Sequence, residues 1–289
     1  MIRISKGQRV FSVFNYFFLT ILGLSMLLPI LHVLAQSLSS NEAISGGRVF
    51  FWPVEMTFTN YKAVMGETLM WRSFGISVYI TAVGTLINLA MTASLAYPLS
   101  RAEYIYRKPV LLMVLITLIF SAPLIPNYLL IKELGMLDTL WSLMIPGAIS
   151  AFNLFVMRSF FMGLPTELID ASRIDGCGEM RILWSIILPL SKPVMATLGI
   201  FYAVAHWNSY ASALYYINDR LQYPLQVRLR EFIITDSSSI SAPAEDLLVS
   251  SPEGIKMAVV MVATIPIMLI YPFLQKHFMK GMLIGSVKS

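Results

Sequence analysis

The sequence predicts an all-α membrane protein with six transmembrane helices, and three observations carry that prediction. Of its 289 residues, 57% are hydrophobic and only 13% charged, with a mean hydropathy of +0.71, far from the average of a soluble domain. Uncharged, mostly apolar stretches of at least ~18 residues recur along the chain, the length a helix needs to cross a ~30 Å hydrocarbon core. The basic residues divide unequally between the two sides those stretches would define. We read residues 1–289 as a single transmembrane domain.

The first span is placed near 11–34. Arg3, Lys6 and Arg9 precede it, and no further charge follows until Glu42. The apolar run is too long for the h-region of a signal peptide, and no A-x-A site follows it, so an uncleaved helix is expected. Charge-free runs then place spans at about 74–98, 109–131, 139–157, 193–217 and 257–275. Pro123 and Pro126 interrupt the third, Pro146 lies in the fourth, and Pro266 and Pro272 lie in the sixth. Proline removes a backbone hydrogen bond and bends a helix. The freed backbone groups either face protein or a watered cavity, or reflect only the greater frequency of proline in membrane helices.

With the N-terminus inside, 13 of the 21 Lys and Arg residues fall on inner segments and 8 on outer ones. This places both termini in the cytoplasm, together with the loop 164–193. The long loops 36–71 and 219–255 are then external. The first holds the aromatic patch Phe50-Phe51-Trp52-Pro53. The second ends in a Ser/Asp-rich piece that is either a disordered link or a surface for a soluble partner.

Several classes are excluded. One cysteine, Cys177, rules out an internal disulfide and a Cys-based metal site, and His32, His206 and His277 lack metal-ligand spacing. The net charge of +5 is too modest to imply nucleic acid. No G-x-x-x-x-G-K-[ST] occurs, so the chain has no P-loop of its own. No cofactor or catalytic residue is expected. No Asp, Glu, Lys or Arg lies inside a predicted span. Intramembrane charges are costly and usually functional, and His32 and His206 are placed near outer ends, which argues against an ion-driven carrier and for energy entering through a partner.

The loop 164–193, LPTELIDASRIDGCGEMRILWSIILPLSKP, is the longest polar segment on the inner side. Pro165-Thr166 signals a helix start with Thr166 as N-cap and with Glu167 and Asp170 in the first turn. Gly176 and Gly178 end that helix after Asp175, and a second apolar run climbs from Met180 to Leu188. Leu168, Ile169 and Ile174 are expected to be apolar knobs that seat in a groove of another protein, with small Ala171 and Ser172 allowing close approach. Arg173 pairs with Asp170 on an exposed face. Asp175 is a turn former or pins the loop to the partner. Near the end of the fifth span, Trp207, Tyr210, Tyr215 and Tyr216 gather with His206 and Asn208. This is either an interfacial aromatic belt or a platform on which sugar rings stack while Asn208 bonds hydroxyls. Asn127, beside Pro126, is assigned to the same substrate path.

The order Asp170-Ala171-Ser172, then Asp175-Gly176, then Ile187-Leu188-Pro189 resembles the EAA loop of ABC importer permeases. Asp170 stands for the first Glu of that pattern, Ser172 for its second Ala, Cys177 for Ala and Leu183 for Phe. The whole chain is similar to carbohydrate-import permeases of the maltose-permease type, and within them to permeases for polysaccharide-derived oligosaccharides. The resemblance implies a type I ABC importer permease fold with a cytoplasmic coupling helix, in a bacterial cytoplasmic membrane. It implies a second, related permease, two ATP-binding subunits that hold ATP and Mg, and an extracytoplasmic solute-binding protein that delivers the oligosaccharide. It assigns ATPase coupling to Leu168, Ile169, Asp170, Ala171, Ser172, Ile174, Asp175, Gly176, Leu188 and Pro189. It also implies an ATPase contact at the C-terminal tail, through Leu283, Ile284, Gly285 and Ser286.

Overall fold

The computed structural model describes residues 6–234, 252–266 and 268–269. Among these the regular structure is entirely helical. The longest elements are α1 (Lys6–Ser37) and α4 (Thr68–Ser100), and both are long and apolar enough to cross a membrane. A third candidate is the pair α9 (Glu179–Leu190) and α10 (Lys192–Trp207), bent by 85° at the Ser191 break. The chain divides into two compact units, 1–70 with 229–266 and 71–228 with 267–289.

In the first unit, α1 carries apolar side chains on all sides, and from Phe11 to Leu31 they are exposed. A helix that is apolar all round and unburied needs lipid or another protein against it. Its C-terminal end meets a small core of Ala35, Ala43, Ile44 and Val49. The expected loop 36–71 is therefore partly helical, holding α2 (Asn41–Ser45) and α3 (Thr59–Gly66). Ser40 caps α2 by accepting from the Ala43 amide at 3.2 Å. Buried Asn60 donates to the carbonyls of Ser37 and Ser39, tying α3 to the end of α1.

In the second unit, α4 threads two apolar clusters. Its Ala93, Ala96, Tyr97 and Leu99 pack with Leu154, Met157 and Phe161 of α7 (Ala151–Met162), Ile169 of α8 (Thr166–Ile174), Ile182, Leu183 and Ile187 of α9, and Val194 and Leu198 of α10. Nearer its start, Ile80 packs with Ile131 of α6 (Leu124–Glu133), Leu143, Met144, and Ala213 and Tyr216 of α11 (Ala211–Tyr216). Between the clusters α4 presents Asn88.

Several predicted boundaries change. The third span is two helices, α5 (Arg107–Ile119) and α6, with Pro123 as the N-cap of α6 and Pro126 in its first turn, where proline is tolerated. The fourth, expected over 139–157, is not one helix. A 3₁₀ turn at Leu140–Leu143 leads into an irregular stretch through Pro146 and Gly147 before α7 begins at Ala151. The fifth, expected over 193–217, stops at Trp207 and resumes at Ala211. For the sixth, residues 252–266 are helical, and 270–275 lie outside the described residues with Pro272. Within the loop 219–255, Leu225–Ile234 is a helix.

Candidate functional site

The segment α8–α9 folds as the helix-turn-helix expected. Thr166 is not the N-cap. It is the first helical residue, Pro165 precedes it, and no side chain caps that end. The other end is a Schellman turn, with the Cys177 amide donating to the Ser172 carbonyl at 2.9 Å and the Gly176 amide to the Arg173 carbonyl at 3.0 Å. Gly176 sits at φ +78°, the left-handed conformation that only glycine adopts at little cost. Beyond the turn, α9 widens into a π-helical turn at Leu183–Ile187, a local irregularity often found where a helix must move or aim side chains.

The two faces of α8 do different jobs. Ile169, expected to seat in a partner, is only 2% exposed and belongs to the chain's own core. Ser172 lies beside it, its hydroxyl donating to the Leu168 carbonyl at 2.6 Å. Leu168 (45% exposed), Ala171 and Ile174 (86% exposed) face outward with Asp170, Asp175 and Gly176. Positions 168, 171 and 174 share one helical face. Leu188 is half-buried and Pro189 exposed. A monomer thus leaves an apolar stripe open on a short polar helix. Arg173 Nε donates to Glu179 Oε1 at 2.9 Å, and its Nη1 lies 3.6 Å from Glu103 and 3.8 Å from Asp170. The Glu179 carboxylate, with Glu103 nearby, raises the Arg173 guanidinium above its ordinary value.

A second site lies between the two clusters of the same unit. It is a cavity of about 550 Å³ lined by Asn88 of α4, Gly147, Ser150, Phe152 and Asn153 around the start of α7, and Phe201, Tyr202 and His206 of α10, with Ser209 and Ser212. Proline and glycine at 146–147 break the helix there, and the freed Gly147 carbonyl accepts from Asn88 Nδ2 at 2.6 Å. Since that carbonyl can only accept, the Asn88 amide orientation is fixed. Its Oδ1 then accepts from His206 Nε2 at 2.6 Å, so the imidazole proton sits on Nε2. Tyr202 OH accepts from the Ser150 amide at 3.1 Å and shares a hydrogen with Thr92 Oγ1 at 2.7 Å. The imidazole edge lies so close to Gly84 that any Cβ there would fall 2.6 Å from Nε2.

Of the expected substrate path only His206 lines this cavity. It sits in the last turn of α10, and its partner Asn88 lies close to the middle of the 33-residue α4. Trp207 is 8% exposed, edge-on to Phe74 with centroids 5.9 Å apart. Tyr216 stacks on Tyr128 within the second cluster. These two rings therefore serve packing and not a shared platform. Tyr210 is half-buried at the edge of that cluster. Asn208 and Tyr215 are exposed, with Asn208 Nδ2 donating to its own helix at Val204 O. Asn127 Nδ2 bonds the Ala122 carbonyl and lies outside the cavity lining. Leu283, Ile284, Gly285 and Ser286 fall outside the described residues. Missed from the sequence were Asn88, Asn153 and Tyr202. An amide inside an apolar run was the available signal, because such a group needs a partner at membrane depth. Among the described residues no cluster of His, Cys, Asp or Glu could hold a metal ion.

Comparison with known proteins agrees with this geometry. Residues 4–284 match the family described as "Binding-protein-dependent transport system inner membrane component". Protein LplC of Bacillus subtilis (strain 168) is 44% identical over 285 residues, covering 98% of this chain and 97% of that one. The polygalacturonan/rhamnogalacturonan transport system permease protein YtcP of the same organism is 40% identical over 284 residues, covering 97% and 99%. A chain in the crystal structure of a bacterial ABC transporter involved in the import of the acidic polysaccharide alginate superposes with a TM-score of 0.89 and 31% identity, over 96% of this chain and 100% of that one.

Proposed function

The chain belongs to the inner-membrane components of binding-protein-dependent transport systems, and within that family we propose that it carries polysaccharide-derived oligosaccharides through the cavity around Asn88 and His206. The observation that carries the reading is the chemistry of that lining: amides, hydroxyls and one imidazole, with the Phe152 and Phe201 rings 6.5 Å apart and, among the described residues, no carboxylate or ammonium. Neutral donors and acceptors match sugar hydroxyls, and aromatic faces match the apolar faces of pyranose rings. A few fixed polar groups in a mostly apolar recess of this size are what a small-ligand site requires. The relatives whose names concern polygalacturonan/rhamnogalacturonan transport and alginate import support the same substrate class.

The assembly we propose has six spans with both termini cytoplasmic. It includes a second, related permease, two ATP-binding subunits that supply the P-loop and Mg site, and an extracytoplasmic binding protein that meets the loops 36–71 and 219–255. The exposed face of α8, with Leu168, Asp170, Ala171, Ile174 and Asp175, docks on an ATPase. The tail residues Leu283 to Ser286 reach the ATPase pair. Closure of that pair displaces α8 and re-aims the helices around the cavity. Driving a two-state gate from 1:99 to 99:1 takes about 5.5 kcal/mol, so α8 must be gripped by apolar contacts as well as rim charges. The test is to purify the chain with its neighbouring subunits and measure which loaded binding protein stimulates ATP hydrolysis. Oligosaccharide-dependent stimulation supports the reading. Stimulation by peptides instead overturns the substrate class, and uptake abolished by an uncoupler but indifferent to ATP depletion overturns the energy source.

A further inference from the structure

We propose that Tyr97, Glu179 and Arg173 form the latch through which displacement of α8 reaches α4, and through α4 the polar cavity. The inference rests on α8 being the ATPase-facing helix. Tyr97 OH donates to Glu179 Oε2 at 2.5 Å, while Arg173 Nε donates to Glu179 Oε1 at 2.9 Å. One carboxylate therefore joins the last turn of α4 to the last turn of α8, and both of its oxygens are used. Three more contacts converge there. Arg173 Nη1 reaches Glu103 just past the end of α4. The Arg101 guanidinium lies 5.2 Å from the Tyr97 ring centroid. Arg101 Nη2 also reaches the Phe161 carbonyl of α7 at 3.4 Å. Four helices thus share one polar knot at the rim of the apolar cluster.

Stability is not a sufficient reason for such a knot. Its ion-paired side chains, Arg173, Glu103 and Glu179, are a third to two-thirds exposed, and exposed ion pairs contribute little. Tyr97 is buried and already held by the cluster. The cluster beneath, with Ile169, Ile182, Phe161 and Leu99, already holds the same helices together. Apolar packing is non-directional, so it holds α8 on the cluster without fixing the direction in which a displacement of α8 is passed on. A two-sided carboxylate bridge fixes direction. α4 is unbroken from Tyr97 back to Asn88, nine residues earlier, or about 13 Å at 1.5 Å per residue. A pull at Tyr97 arrives at Asn88 as a rigid displacement, and Asn88 holds both His206 and the Gly147 carbonyl of the cavity wall. Tyr97 and Glu179 are positioning residues: they touch no substrate and act through α4.

The test uses the full complex with its ATPase and binding protein in proteoliposomes, comparing Tyr97→Phe, Glu179→Ala and the double variant. The readout is oligosaccharide moved per ATP hydrolysed. Tyr97→Phe keeps the ring and the Arg101 contact and loses only the hydroxyl. Assembly and basal ATP hydrolysis should stay at wild-type values and thermal unfolding should shift by no more than the loss of one hydrogen bond, while the transport ratio falls about fivefold, the size of one such bond. The double variant should lose no more than Glu179→Ala alone, because both changes cut the same link. An unchanged ratio in Tyr97→Phe, or losses that multiply in the double variant, overturns the latch. Failure of the wild-type ATPase to assemble with the chain overturns the underlying placement of α8 instead, so the two failures are separable.

Discussion

Replacing Gly176 separates the shape of the coupling turn from the space around it. Its φ of +78° is the left-handed conformation, and a Cβ built there meets nothing within 4 Å. The penalty for a substitution is therefore backbone strain alone, about 1–2 kcal/mol for an ordinary L-residue. Asn tolerates this conformation better than Ala, and β-branched Val tolerates it least. Strain of about 1–2 kcal/mol lowers the population of the correctly aimed turn by a factor of about 5–30. It removes roughly a fifth to a third of the ~5.5 kcal/mol that gating demands. Transport per ATP should thus fall in the order Gly, Asn, Ala, Val. The protein should still reach the membrane in normal amount, because Ile169 and the cluster beneath hold α8 in place. The assay is uptake and ATP hydrolysis by the reconstituted complex, normalised to protein in the membrane. Equal coupling in Gly176→Val and Gly176→Asn would refute the backbone argument, and wild-type transport by Gly176→Val would refute the lever itself.

Other outcomes follow from the same geometry. Gly84→Ala should push the His206 ring off Asn88 and leave a buried amide oxygen unpaired, lowering stability by about 1–3 kcal/mol in thermal unfolding. Adding His206→Ala should recover part of that loss, because the clash disappears with the ring. Ile169→Ala should cost about 2–5 kcal/mol of stability as a buried deletion. Leu168→Ala with Ile174→Ala should stay within about 0.5 kcal/mol yet weaken ATPase association. Asp138 accepts from the Asn218 side chain and from the amides of Asn218 and Asp219, which lowers its carboxyl below the usual range. A lowered folded-state value means this stabilisation is complete above the unfolded value near ~3.9 and is lost as pH falls through the folded one. The stability gap between wild type and Asp138→Ala should therefore be constant at neutral pH and close in acid below about pH 4.

Much of the coupling segment was legible because its signals are local. Pro165, Glu167 in the first turn (Asp170, expected there too, lies one turn further on), and Gly176 followed by Gly178 mark the ends of α8 by local signals alone. Which face of α8 turns inward was not legible, since Leu168, Ile169 and Ile174 are all apolar and a short helix with apolar residues on both sides has no single answer. Only the fold reveals that Ile169 meets Ile182 and Phe161. The helical bounds of the fourth span were missed for a related reason. Absence of charge between Asp138 and Arg158 says that the stretch is apolar, not that it is helical, and Pro146-Gly147 leaves it irregular until Ala151. The aromatic cluster misled because Trp207 and Tyr216 carry large apolar surfaces that packing claims first. The cavity was hidden because a search for charges passes over amides. Asn88 and Asn153 stand in apolar runs, and Asn88 meets His206 only through the tertiary approach of α4 and α10, 118 residues apart in sequence, while Asn153 joins the lining from α7.

The central claim is that the exposed face of α8 is held by an ATP-hydrolysing subunit, and the most direct measurement is a cross-link. The single native cysteine, Cys177, is replaced by Ser, and Ala171→Cys is introduced on the open face. The account predicts that a short bifunctional reagent joins position 171 to the ATPase in membrane vesicles, with a yield that changes when ATP closes the ATPase pair. Labelling of position 171 by an impermeant reagent from the external side, with no ATPase adduct, would contradict it.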